Sequence, residues 1–204
     1  MQHRPTAAVG RHAPACGHAG HGAMPMRCHH HGFTLAELVV TVAVLGITLG
    51  LALPSLALLR ERAQALDALH GLTASLVMAR MAAVTRGRPV SVCPSAEGLR
   101  CRTDLVWDEG WLVFVDANRS GQPAGPEAVL RHVQRRPGEP PIRATPGRHR
   151  VRYQPSGMAG GNNISLSVCR RGDTRLIGRV VVNLAGRVRS ESGLGRDLPC
   201  PFQP

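Results

Sequence analysis

Two hydrophobic rhythms divide the chain. From residue 33 to residue 53 apolar side chains follow one another almost without a break. A charge-poor run of that length crosses the ~30 Å hydrocarbon core of a bilayer as a helix. Beyond Pro54 the pattern changes: Leu56, Leu59, Ala63, Leu66, Leu69, Leu72 and Leu76 recur every three or four residues, with Arg60, Arg62, Gln64 and Asp67 between them. That spacing predicts an amphipathic helix whose stripe docks on a core. Pro54 lacks a backbone N–H and predicts a kink between the halves. Gly71 weakens the helix by about 1 kcal/mol relative to Ala, and Gly87 and Pro89 end it. After residue 88 the period shifts to two. Residues 89–93, 111–115, 127–133, 149–153, 164–169 and 176–183 read as strands, parted by turn signals at 118–121, 137–141 and 155–163. Short strands so closely spaced predict an antiparallel β domain. The expected class is α+β: a long N-terminal helix, its first half transmembrane, packed on an antiparallel β domain. The expected divisions are a leader, 1–32; a transmembrane half-helix, 33–53; an amphipathic half-helix, 54–86; and a globular domain, 87–204.

The apolar run holds one charge, Glu37, near its start. An ionised carboxylate in a membrane helix costs about 2.5–3.5 kcal/mol, so it calls for a partner. The preceding stretch suggests one. Residues 1–32 carry three Arg, seven His and no acid. This segment is rich in Gly, Ala, Pro and His without an apolar period, and reads as disordered. A secretory signal places its apolar stretch before the cut. Here the apolar stretch follows Gly32, so cleavage after Gly32 would keep the helix and create an α-amine at Phe33, four residues before Glu37. A carboxylate near a helix N-terminus pairs naturally with such an ammonium, its own or a neighbour's. The plainer alternative is an N-terminal anchor in which Glu37 is incidental. Met24 and Met26 are alternative starts to Met1 and would shorten the leader.

Gly32, Phe33, Thr34, Leu35 and Glu37, followed by the apolar helix, resemble the class III signal of type IV prepilins and type II secretion pseudopilins. Farther on, Gly110-Trp111-Leu112-Val113-Phe114-Val115-Asp116, Glu127-Ala128-Val129-Leu130-Arg131, Tyr153-Gln154-Pro155-Ser156-Gly157 and 179–189 resemble, in order and spacing, the GspH/FimT family. The resemblance implies a pilin-like fold, a long helix on a globular domain of two β-sheets. It implies a prepilin peptidase that cuts after Gly32 and methylates Phe33, with Glu37 neutralising a neighbour's N-terminus during assembly. It implies a single-pass inner-membrane protein with its globular domain in the periplasm, whose partners are other pilins or pseudopilins in a type II secretion pseudopilus or a type IV pilus. Gly186-Arg187-Val188-Arg189 resembles the DNA-contacting Gly-Arg-x-Arg motif of FimT-type minor pilins. On a strand, Arg187 and Arg189 would share a face and bind DNA phosphates in a salt-sensitive, sequence-independent way. Exposed Arg on a strand also serves simply as a solvated, edge-protecting face.

Composition adds less. The formal charge is +12, carried by Arg alone because the chain has no Lys. Arg suits bidentate contacts to phosphate and carboxylate, and net basic charge bears on polyanion binding rather than on fold. Aromatics make up 3% of the chain, which argues against a stacking platform for single strands. A class III anchor would place Cys93, Cys101, Cys169 and Cys200 where disulfides persist. Cys93 with Cys101 and Cys169 with Cys200 is the expected pairing among three connectivities. Cys16, Cys28 and the leader histidines match no zinc spacing, so no metal or other cofactor is expected. Asp116-x-Asn118-x-Ser120-Gly121 with Glu127 fits an EF-hand loop residue for residue. A strand-like run enters it and another leaves it, so a hairpin connection is expected instead. No nucleophile–base pair, Walker loop or metal cluster outside the leader supports an enzyme.

Overall fold

A computed structural model describes residues 33–161, 163–172, 175–193 and 198–201. The leader, the expected cut at Gly32, and Cys16 and Cys28 lie outside these residues. Two compact units meet in sequence between Gly46 and Ile47, and each is taken by itself.

A single helix, α1, runs from Leu35 to Arg86, through Pro54. The first unit contributes its opening turns. Thr34 precedes the helix and accepts a hydrogen bond at its Oγ1 from the Glu37 N–H (3.2 Å), while its carbonyl accepts from the Leu38 N–H (3.1 Å). Thr-x-x-Glu is the spacing of a helix capping box, and Thr34 fills the N-cap role. At the far end Gly87 adopts φ +61°. That left-handed conformation stops a helix at little cost only for glycine.

Among the described residues, the second unit holds eight strands in two antiparallel sheets. β1 (Val90–Pro94), β2 (Gly110–Val115), β3 (Val129–Gln134) and β5 (Val151–Tyr153) form one sheet in the order β3-β2-β1-β5. β4 (Ile142–Ala144), β6 (Ile164–Cys169), β7 (Leu176–Val182) and β8 (Val188–Ser192) form the other in the order β4-β6-β7-β8. Register follows side-chain alternation: Val92 sits opposite Val113 and Val151, and Leu166 opposite Val180. Such registers keep one face of each sheet apolar, since a one-residue slip would turn every side chain over.

Between the sheets and the helix lies the larger of two buried apolar clusters among the described residues, the smaller being Cys93, Cys101, Leu112 and Phe114. Ala65, Ala68, Leu69, Leu72, Leu76, Ala79 and Ala83 come from α1. Val92, Trp111, Val151 and Tyr153 come from one sheet, and Ile142, Ile164, Leu166 and Val180 from the other. This helix face differs from the expected stripe. Leu56, Leu59, Ala63 and Leu66 are exposed, while alanines at 65, 68, 79 and 83 are buried. Small side chains let the helix backbone approach the sheets, and the expected stripe, which takes six steps from Leu56 to Leu76 and so averages about 3.3 residues per step, drifts off a 3.6-residue face. Gly71 serves the same approach. A Cβ there would stand 3.3 Å from Trp111 Cζ2, and Trp111 Nε1 donates to Ser75 Oγ at 2.9 Å.

Strand boundaries moved for local reasons. Pro126–Ala128 forms a 3₁₀ turn, so β3 begins at Val129 rather than at 127. The Arg148 N–H donates to the Thr145 carbonyl (3.1 Å), and that turn delays β5 to Val151. The short β4 follows Pro140 and Pro141 and carried no readable alternation. Cys93 is bonded to Cys101 and Cys169 to Cys200, with Cα–Cα separations of 5.5 and 5.8 Å. Each such bridge removes unfolded-state freedom worth about 2–4 kcal/mol.

Candidate functional site

Among the described residues of the first unit, chemistry reduces to one charge on an apolar helix. Phe33, Leu35, Leu38, Val39, Val40, Val42 and the apolar residues that follow are exposed. Among the described residues, α1 is the one helix long and apolar enough to cross a membrane, by length and composition. Thr34 caps the helix, so the Glu37 carboxylate stands in its first turn, where backbone N–H groups and the helix dipole favour negative charge. Sequence reading had singled out Glu37 and missed the cap, although the Thr-x-x-Glu spacing announces it.

The Gly-Arg-Val-Arg segment lies in the hairpin between β7 and β8. Arg187 is not on a strand. It closes the turn before β8, its N–H donating to Asn183 Oδ1 at 2.9 Å. Two constraints demand glycine at position 186: φ is +73°, and a Cβ would collide with the Gly157 carbonyl. Because the turn takes Arg187, the expected shared strand face does not form. Arg189 lies on β8 opposite Val181, its Nε 3.3 Å from Glu191 Oε1, and Glu191 also receives Arg179 Nε at 2.7 Å. Arg187 and Arg189 are both exposed. Arg80, on α1, was missed by sequence reasoning. It ties this hairpin to the helix, donating through Nε to the Gly157 carbonyl (3.0 Å) and through Nη2 to the Ala185 carbonyl (3.3 Å). A single Arg in a helix carries no local sign of such a long-range role.

A second basic feature is legible as the alternation Arg148, Arg150, Arg152 around Val151 and Tyr153. These three arginines and His149 line a cleft of about 360 Å³ floored by Gly160 and Gly161. Arg148 Nη2 donates to the Gly160 carbonyl at 2.9 Å, and Arg150 Nη1 lies 3.2 Å from His149 Nε2. Burial, then the neighbouring Arg150 charge, holds the His149 imidazole below its ordinary pKa. Arg152 is bound to Asp116 (Nε–Oδ2 2.8 Å). No carboxylate pairs with Arg148 or Arg150 among the described residues.

Asp116 also resolves the EF-hand-like pattern. Its carboxylate is fully buried and accepts from Ser91 Oγ (2.8 Å), Arg152 Nε and the Gly121 N–H (3.0 Å). Those bonds close the 116–121 turn from within. Arg152 Nη2 also reaches the carbonyl of Arg119 (2.9 Å), whose own φ is +58°.

Comparison with known proteins agrees with this architecture. The family model for the type II transport protein GspH matches residues 68–186, and the model for the prokaryotic N-terminal methylation motif matches residues 27–53. The pilin-like protein PilA1 of Thermus thermophilus is 33% identical over 168 residues, covering 78% of this chain and 97% of PilA1. The type IV minor pilin FimU of Pseudomonas aeruginosa superposes with a TM-score of 0.55 at 22% identity, over 69% of this chain and 98% of FimU. The methylation motif, a GspH match over more than half the chain and a pilin-like relative at 33% identity converge on one assignment: the chain belongs to the GspH family.

Proposed function

We propose that this chain is made as a prepilin, inserted in the inner membrane with its globular domain in the periplasm, cut after Gly32 by a prepilin peptidase and methylated at Phe33. It then joins a type IV pilus or a type II secretion pseudopilus. One observation carries this reading: Glu37 is the sole ionisable side chain from Phe33 to Leu59. It stands in the first turn of a helix whose apolar side chains are exposed. Bundling of such helices removes apolar surface from lipid contact, and a neighbour's terminal amine compensates a carboxylate that is otherwise costly there. Glu37→Ala should insert in the membrane normally but be lost from sheared filaments by at least tenfold, the loss of about 1.4 kcal/mol or more of pairing. Gly32→Ala should accumulate as the longer, uncut band. Wild-type incorporation of Glu37→Ala sinks the assembly role, and normal cutting of Gly32→Ala sinks the cleavage site.

The second reading is DNA capture by the globular domain. It is supported by exposed Arg187 and Arg189 in the β7–β8 hairpin and by the separate Arg148–Arg150 cleft, both accessible to phosphate. In a titration of duplex DNA with the full chain in detergent, Arg187→Ala/Arg189→Ala should flatten the slope of log K against log salt by about 1.8, the loss of two phosphate contacts at about 0.9 each. An unchanged slope leaves these arginines as surface charge.

A further inference from the structure

A cleft of about 750 Å³ opens between the start of the second unit's helix and two loops. Its helix wall presents Leu56 and Leu58 and then Arg60. Opposite stand Gly138, between β3 and β4, and Arg170 and Arg171, at the β6–β7 turn. Among the described residues the carboxylate lining it is Glu61, and Glu61 is already engaged. It accepts from Arg170 Nε at 3.3 Å and from the Arg171 N–H at 2.9 Å, which clips the turn to the helix. Glu139, beside the loop, is held by Arg135 at 3.0 Å. Arg60 and the Arg171 guanidinium thus line the cleft with no carboxylate partner among the described residues. Gly138 makes room for the latter: both terminal nitrogens of Arg171 lie 3.4 Å from where a Cβ at 138 would stand.

The cleft's depth follows from helix geometry. A run such as 33–53, at ~1.5 Å per residue, rises about 31 Å, the thickness of the hydrocarbon core. The polar layer adds roughly 5–7 Å on each side. Leu56 is then about 4.5 Å past Leu53 and Arg60 about 10 Å past it. On the membrane-anchored reading above, Leu56 then falls at headgroup depth, and Arg60, about 3–5 Å beyond that layer, is long enough to reach back toward it, since helical side chains lean toward the N-terminus. Guanidinium groups bind phosphate oxygens bidentately, while Leu56 and Leu58 suit the glycerol and upper acyl carbons.

We propose that this cleft binds the headgroup of an anionic phospholipid, its phosphate held by Arg60 and Arg171. The proposal rests on the membrane-anchored reading above. Bound lipid would hold the globular domain against the bilayer until the subunit is extracted.

The test uses the full-length chain in nanodiscs of phosphatidylcholine, of phosphatidylcholine with phosphatidylglycerol, and of that same mixture in the presence of free glycerol phosphate. Lipid retained on release from the disc is counted by native mass spectrometry. Phosphatidylglycerol should be enriched over its bulk ratio by up to about thirtyfold, about fivefold for each Arg near an anionic surface. Arg60→Gln/Arg171→Gln should bring the ratio close to one; both side chains are exposed, so the fold should survive. Retention of equal enrichment in that variant overturns the site. Glycerol phosphate displacing the lipid completely overturns the lipid as its ligand. Entry into the discs without enrichment overturns this proposal alone, whereas failure to enter any disc overturns the anchor and the site together.

Discussion

Glu37 and His149 show how differently one side chain can be constrained. Glu37 is set by its neighbours in sequence, through the Thr34 cap. The state of His149 is set by tertiary burial and by Arg150. The sign of its effect on stability follows. An unfolded His titrates near 6.5. Below that pH the unfolded chain takes up a proton that the folded chain resists. The contribution of His149 is therefore fully present above about pH 6.5 and is lost as pH falls toward the depressed folded value. Urea midpoints measured from about pH 7.5 to about pH 5 should drop less steeply for His149→Gln than for the parent chain. Parallel curves would show that other groups govern the acid limb. The buried Asp116 belongs to the same class as His149: its sequence pattern reads as a calcium loop, and its partners Ser91 and Arg152 lie 25 and 36 residues away.

At the scale of elements, packing distance between helix and sheet is held by two glycines of unlike sensitivity. A Cβ on Gly178 would lie 2.7 Å from both the Glu191 carbonyl and Leu69 Cδ1. Either β8 or the helix must then retreat. Gly178→Ala should destabilise the fold by about 1–3 kcal/mol. At Gly71 the contact with Trp111 is 3.3 Å, a few tenths too close, and it opposes a gain of about 1 kcal/mol in helix propensity. Gly71→Ala should be nearly neutral. Thermal melts of the two variants check the pair; equal melting temperatures would mean that helix–sheet spacing does not limit stability. The helix itself, most strands and the helix-weakening Gly71 were readable in the sequence; Gly178 was not. The steric reason for each glycine was not legible there either, because it depends on a residue from another element.

For the whole molecule, the amphipathic half-helix is a wall of the globular core rather than a stalk beneath it. Seven of its apolar side chains, from Ala65 to Ala83, are buried against both sheets. A fragment beginning at residue 85 exposes the apolar faces of two sheets and should lack a cooperative melt. A fragment beginning at Arg60 keeps every one of those seven and should melt cooperatively with both disulfides formed. Circular dichroism of the two separates the outcomes, and a cooperative melt of the shorter fragment would show the sheets to be self-sufficient. Membership of the GspH family rests on this same scale, since the matched region, residues 68–186, begins inside the helix.

Local physics made much of this legible in advance. Apolar run length, a capping residue, a glycine stop and the alternation of Val151 and Tyr153 with arginines are all read over a few neighbouring residues, so the sequence by itself determined the membrane-length helix, the change to β structure and the lone Glu37. Tertiary structure decided which helix face is buried, where the mixed Leu and Ala positions admit more than one stripe until the sheets select the small residues. It decided how eight strands divide between two sheets, because strand partners are chosen by non-local burial. It also moved Arg187 off the strand, where the Gly186 turn packs against Gly157, and brought Arg60 to the same cleft as Arg171, 111 residues later.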